Sequence, residues 1–155
     1  SFINNIPQLV GLRYFNVYGK YEENKGNMAS VVYKFYNQLE GGEITLFKNS
    51  DKYLRDFVHV DDIVSMNIKF FLNPKISGLF NIGTGAERSF EDIAGIFKKR
   101  YKVSIKYIEM PEKLKGKYQK FTKSDNTKLL KSFSHEFFSL EQGVEKYLNY
   151  LEKSS

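Results

Sequence analysis

Cysteine and tryptophan are absent from this 155-residue chain, proline occurs three times and histidine twice. Without cysteine there is no disulfide, no thiolate nucleophile and no thiolate-ligated metal, which fits a reducing compartment such as the cytoplasm. The two histidines, His59 and His135, are far apart and lack the i, i+4 spacing of a helical zinc pair, so both are read as non-ligands and no metal site is expected. No apolar run reaches the roughly 18 residues of a membrane span. The opening SFINNIPQL lacks the charged-then-apolar order of a secretory leader. Internal repeats and low-complexity segments are missing too.

What is present describes a folded domain. Hydrophobic residues make up 41% of the chain, with 14 Phe and 11 Tyr, enough apolar surface to argue against disorder. The length suits one domain over residues 1–155. Because the chain starts at Ser1 and enters a strand within a dozen residues, a piece of something longer is expected. The net charge of +6 would attract polyanions, but the basic residues are scattered, with short clusters at Lys98 to Arg100 and Lys113 to Lys120. That distribution favours a phosphorylated small molecule over nucleic acid.

The organising stretch is Gly11 to Ser30. Leu12 to Val17 is branched or aromatic in most positions and reads as a buried strand. Tyr18 to Gly26 has no apolar period and reads as a loop at the C-terminal end of that strand, where open α/β sheets bind ligands. Asn16, Lys25 and Asn27 are then polar groups at a ligand-facing end, although a strand terminus and a solvated lysine would look alike.

Helices are expected over Met28–Leu39, stopped by Gly41-Gly42, and over Ile63–Leu72, capped by Asp61-Asp62 and apolar nearly all round, hence mostly buried. A third follows at Phe90–Tyr101 behind a Ser89/Asp92 capping box. Two more are read at Asn126–Phe133 and Leu140–Leu151. Strands are read at Ile44–Phe47, Leu54–Val60, Leu79–Ile82 and Val103–Met110. Strands alternating with helices of these lengths indicate α/β or α+β layering.

Several short patterns invite chemistry. Gly83-Thr84-Gly85 resembles the start of a dinucleotide fingerprint, but the third glycine position falls on Arg88, so a tight strand-to-helix turn is the plainer reading. Arg55 could present its fork to a phosphate or pair with Asp56 or Asp61. Leu114 to Tyr118 joins cations, a glycine and an aromatic, as a loop over an anionic, ring-containing ligand would, and as an ordinary solvated loop also can.

In order, LRYFNVYG, NKGNMAS, RDFVHVDDI, FNIGTG and PEKLKGKYQKFT resemble the C-terminal half of the nucleotide-sugar epimerases of the extended short-chain dehydrogenase/reductase family. The KGNMAS and LKGKYQKFT segments are similar to its ADP-heptose 6-epimerase branch. The resemblance implies an α/β fold in which this chain is the substrate-binding part: the last Rossmann-sheet strands plus a small α/β lobe, with the N-terminal cofactor fold lying before Ser1. It implies NADP as cofactor, ADP-heptose as substrate, inversion at C6 through a transient ketone, a role in lipopolysaccharide inner-core heptose synthesis, a cytoplasmic location and a homo-oligomer, pentameric in that branch. Neither nucleic acid nor membrane is an implied partner.

Carried over residue by residue, Lys25 matches the family's catalytic lysine, which also meets the cofactor, and Val17 a cofactor contact. Asn16, Asn27, Lys34, Phe47, Lys48, Asn49, Ser50, Arg55 and Tyr118 match substrate contacts. The second acid/base of the family, the tyrosine of a Tyr-x-x-x-Lys pair, has no counterpart placed to serve, so the chain alone is expected to be inactive. Lys20, Asn24, Asn27 and Lys34 depart from the usual proline, histidine, serine and histidine. Another nucleotide-sugar epimerase or dehydratase, or a non-catalytic basic nucleotide- or RNA-binding module, are the competing readings.

Overall fold

The computed structural model describes residues 7–112 and 119–154. Its elements run β1 (Val10–Tyr14), β2 (Asn16–Tyr18), α1 (Val31–Gln38), β3 (Glu43–Phe47), β4 (Leu54–His59), α2 (Val60–Leu72), β5 (Gly78–Ile82), β6 (Glu87–Ser89), α3 (Phe90–Tyr101), β7 (Ser104–Ile108), α4 (Thr127–Ser132) and α5 (Leu140–Ser154). β1 pairs in parallel with β5, β2 with β4 and β3 with β7, while β6 adds antiparallel to β4. Parallel pairing with helical crossovers makes the fold α/β, as the alternation of elements suggests.

The expected single strand Leu12–Val17 is in fact two. Register along β1 ends with Tyr14 opposite Ile82, and two residues later Asn16 stands opposite Phe57 of β4. Between them Phe15 donates its N–H to the carbonyl of Ile82 at 3.2 Å, so the chain changes sheet partner at that residue. A break of this kind leaves no trace in an unbroken run of β-forming side chains, because it depends on which distant strand lies alongside.

Two apolar clusters hold the layers together. One gathers Val32 and Phe35 of α1, Ile44 of β3, Phe97 of α3 and Val144 and Leu148 of α5. The other gathers Val58, Met66, Phe70, Phe80, Ile82 and Leu129 around β4, α2 and β5. Burying one such side chain is worth about 1.5–3 kcal/mol. The expected apolar stripe of α5, Leu140, Val144, Leu148 and Leu151, is buried in full.

α2 departs from expectation twice. His59, rather than Asp61 or Asp62, is its N-cap, with Nδ1 accepting from the Asp61 N–H at 3.2 Å; the two aspartates lie in the first turn. Only one stripe is buried: Ile63, Met66 and Phe70 face the core, while Val64, Ile68, Phe71 and Leu72 are exposed, Phe71 at 82%. α1 begins three residues later than expected, because Ser30 caps it by accepting from the Tyr33 N–H and Met28 belongs to a preceding short turn. Among the described residues no helix is long and apolar enough to cross a membrane.

Candidate functional site

β2, together with Phe15 before it, and the first half of β4 form one wall of a cleft of about 790 Å³, and α1 with β3 forms the other. Asn16 and Val17 reach it from β2, Lys34 from α1, Phe47 and Ser50 from the end of β3 and the turn after it, and Arg55 from β4. Asn16 is exposed there, and its Oδ1 accepts a long hydrogen bond of 3.5 Å from the Thr122 hydroxyl, which in turn accepts from the Asp56 N–H at 3.3 Å. Ser50 is buried and donates to Glu91 at 2.7 Å.

Arg55 is buried at the cleft wall. Its guanidinium donates to the Leu54 carbonyl at 2.9 Å and to the Gln119 carbonyl, and lies 5.9 Å from the Phe90 ring. The two carboxylates weighed as its ion-pair partners have partners of their own. Asp61 pairs with Lys146 at 2.9 Å, and both oxygens of Asp56 are spent on backbone donors.

Those donors decide the Gly83-Thr84-Gly85 turn. Asp56 is fully buried and accepts from the N–H groups of Thr84 at 2.7 Å, Gly85 at 2.9 Å and Ser124 at 2.9 Å. A cradle of amides that a dinucleotide phosphate would need is therefore filled by a carboxylate of the same chain. The described residues offer no pyrophosphate cradle at this turn.

The loop after β2 centres on Glu22, which is buried to 1% although the residues following it are exposed. Its carboxylate accepts from the Ser30 N–H at 3.0 Å, from the Ser30 hydroxyl at 2.5 Å and from the Lys25 amine at 3.4 Å. Tyr147 of α5 lies close by: its phenol is raised by burial first and by the Glu22 charge second. Lys34 reaches back to the Asn27 carbonyl at 2.8 Å. Lys25 and Asn27 are exposed at the cleft's edge and do not line it, whereas Met28, Ala29 and Ser30 do. A Tyr-x-x-x-Lys spacing does occur at Tyr21 to Lys25, but it lies in this loop rather than on a helix. Tyr21 there has φ +67 and a 75% exposed ring set edge-on to Tyr150.

The NAD dependent epimerase/dehydratase family model matches residues 7–83, which include β1 to β5, most of the cleft lining and Asp56. The chain is 51% identical over 150 residues, 95% of its length, to the ADP-L-glycero-D-manno-heptose-6-epimerase of Brachyspira hyodysenteriae. It belongs to the NAD-dependent epimerase/dehydratase family. The ADP-L-glycero-D-manno-heptose-6-epimerase of Helicobacter pylori matches in structure with a TM-score of 0.80 at 31% identity, covering 94% of this chain and 45% of that one. The UDP-glucose 4-epimerase of Thermotoga maritima matches with a TM-score of 0.78 at 30% identity, covering 94% and 46%. The chain spans about half the length of the relatives it matches, 47% of the Brachyspira protein.

Within this epimerase-family chain, the residues named from sequence divide into three groups. Asn16, Val17, Lys34, Phe47, Ser50 and Arg55 meet at the cleft. Lys25, Asn27, Lys48 and Asn49 stand outside its lining; Lys48 pairs with Glu109 at 2.5 Å, and Asn49 is the left-handed residue that opens the turn, with φ +62. Tyr118 lies outside the described residues. Sequence reasoning missed Gln38, Thr45 and Phe90 on the lining. Their signal was weak, since each reads as an ordinary helix or strand residue until α1, β3 and α3 are folded around one space. His59 caps α2, and His135 bonds Asp62 at 2.9 Å. Among the described residues no group of three or more His, Cys, Asp or Glu could hold a metal.

Proposed function

We propose that this chain is the substrate-binding part of a longer nucleotide-sugar epimerase, acting on an ADP-heptose at C6 with NADP and serving lipopolysaccharide heptose synthesis in the cytoplasm. The observation that supports this most is that one cleft gathers six positions on which the family resemblance puts substrate or cofactor contacts. The narrower ADP-heptose reading is supported by the two heptose-epimerase relatives. A half-length match, an exposed apolar stripe on α2 and a β1 with one partner strand among the described residues favour a longer protein around it. In that protein the chain is one substrate lobe within a homo-oligomer.

The chemistry follows from the groups at the cleft. A buried guanidinium on its wall suits a diphosphate, because Arg presents planar paired donors to phosphate oxygens. Asn16, beside it, offers an amide to sugar hydroxyls. Inverting a carbon through a planar ketone requires a proton to be handled on each face, and one fixed group cannot serve both. Lys25, on the loop bordering the cleft, is the amine for one face; a phenol from the part of the protein before this chain is assigned to the other. A bound nicotinamide, which Val17 at the cleft wall would meet, would supply the hydride chemistry at that carbon. The chain by itself is inactive in this reading.

Lys25→Met in the whole enzyme tests it. Substrate binding is expected to persist while epimerisation, followed by separation of the C6 epimers, slows by about two orders of magnitude or more. Near-normal turnover would remove Lys25 from its role. Turnover of UDP- or dTDP-sugars with ADP-heptose ignored would move the assignment to another epimerase or dehydratase of the family.

A further inference from the structure

We propose that Glu22 is the positioning residue for Lys25, a buried carboxylate that ties the amine to the N-terminus of α1 at the cleft's edge; this rests on the reading of Lys25 given above. A carboxylate is seldom buried without partners, since losing water costs several kcal/mol unless charge or hydrogen bonds replace it. Glu22, 1% exposed, has found three: the Ser30 N–H, the Ser30 hydroxyl and the Lys25 amine. Ser30 is at once the cap of α1, accepting from the Tyr33 N–H at 3.3 Å, and part of the cleft lining. One side chain thus joins the helix that walls the cleft to the amine that borders it.

Two features of the backbone fit the same role. Tyr21, immediately before Glu22, has φ +67, a conformation that costs a bulky residue of order 1–3 kcal/mol and persists only where its surroundings demand it. The Tyr21 ring is 75% exposed, so the demand comes from its buried neighbour. On the far side, the Lys25 N–H donates to the Glu22 carbonyl at 3.0 Å and the Met28 N–H to the Lys25 carbonyl at 2.9 Å, fixing where the lysine stem leaves the loop. The stem itself carries four flexible bonds and a 49% exposed side chain. Without an anchor the amine would sample many rotamers at an entropic cost to any productive arrangement.

The contact to Lys25 can be separated from the contact to Ser30. Glu22→Gln retains an oxygen for the Ser30 N–H and offers an amide to the Ser30 hydroxyl, so the loop keeps its attachment to α1 while the charge facing Lys25 is lost. Ser30→Ala removes the hydroxyl contact, keeps the backbone N–H contact and leaves that charge. Acylation of lysines by an N-hydroxysuccinimide ester, read by mass spectrometry on the native chain, reports the amine directly, with Lys34 as internal reference. Lys25 is expected to react up to about fivefold faster relative to Lys34 in Glu22→Gln, the upper range for a partly exposed pair, and to be unchanged in Ser30→Ala. In the whole enzyme, Glu22→Gln is expected to lower kcat about tenfold with KM little altered. An unchanged Lys25-to-Lys34 ratio in Glu22→Gln overturns the inference, as does wild-type kcat in Glu22→Gln when Lys25→Met is inactive. An active Lys25→Met strikes the reading of Lys25 instead, and the labelling ratio still decides the contact.

Discussion

Tyr18 and Gly143 show how closely two residues can depend on each other across the fold. Tyr18 is buried at the end of β2, and a Cβ at Gly143 of α5 would lie 2.0 Å from its hydroxyl oxygen and 3.0 Å from the ring carbon that carries it. Among the described residues the hydroxyl has no hydrogen-bond partner, and its pKa is raised chiefly by burial. Gly143→Ala is therefore expected to destabilise the chain by about 1–3 kcal/mol, the usual cost of overpacking, measured by urea unfolding. Tyr18→Phe removes the closest atom and should recover part of that loss in the double variant; a purely additive double variant would contradict the close approach. At this scale Asn16 and Arg55 were legible, because strand ends and RDF-type runs announce themselves. The role of Asp56 was not. An acidic residue next to an arginine reads as half of an ion pair, and only folding brings the turn at 84–85 and Ser124 to its oxygens.

Elements were legible wherever a local signal sets them. The Ser89/Asp92 capping box starts α3, and a left-handed Gly42, with φ +68, follows the turn that ends α1. The split of one expected strand into β1 and β2, and the second, exposed stripe of α2, depend on neighbours distant in sequence. So does the cap of α2, which makes a pH-dependent element. His59 Nδ1 accepts from the Asp61 N–H, so the cap requires a neutral ring, and burial lowers the histidine's pKa from its ordinary 6.5 against the opposing pull of Asp61. A folded-state pKa below the unfolded one means the unfolded chain binds more protons in the interval between them. The stabilisation is then complete above about pH 6.5 and is lost as pH falls below it. Urea unfolding of the wild type minus that of His59→Asn, which keeps a capping acceptor without the ionisation, should shrink from pH 7.5 to pH 5.5. A pH-independent difference would contradict the burial of a neutral ring.

For the whole molecule, the α/β class and the family follow from the same run of motifs, and the fold supplies what the motifs cannot: a shared space. Asn16, Arg55 and Phe47 are separated by up to 39 residues (55 − 16) and meet because β2 lies alongside β4 while β3 and α1 close over them. The same view explains why α2 carries apolar side chains outward. Val64, Ile68, Phe71 and Leu72 form a stripe at i, i+4, i+7 and i+8, a pattern that buries itself against something, in a chain that spans about half of its relatives. The cleft lining within the described residues gives a direct test. Titration of the chain with ADP-heptose, followed through its backbone amide resonances, is that test. Saturable shifts centred on Asn16, Phe47, Ser50 and Arg55 are predicted; no saturable shift, or shifts centred instead on the basic face of α5 around Lys146 and Lys153, would contradict the assignment of this cleft to a nucleotide-sugar.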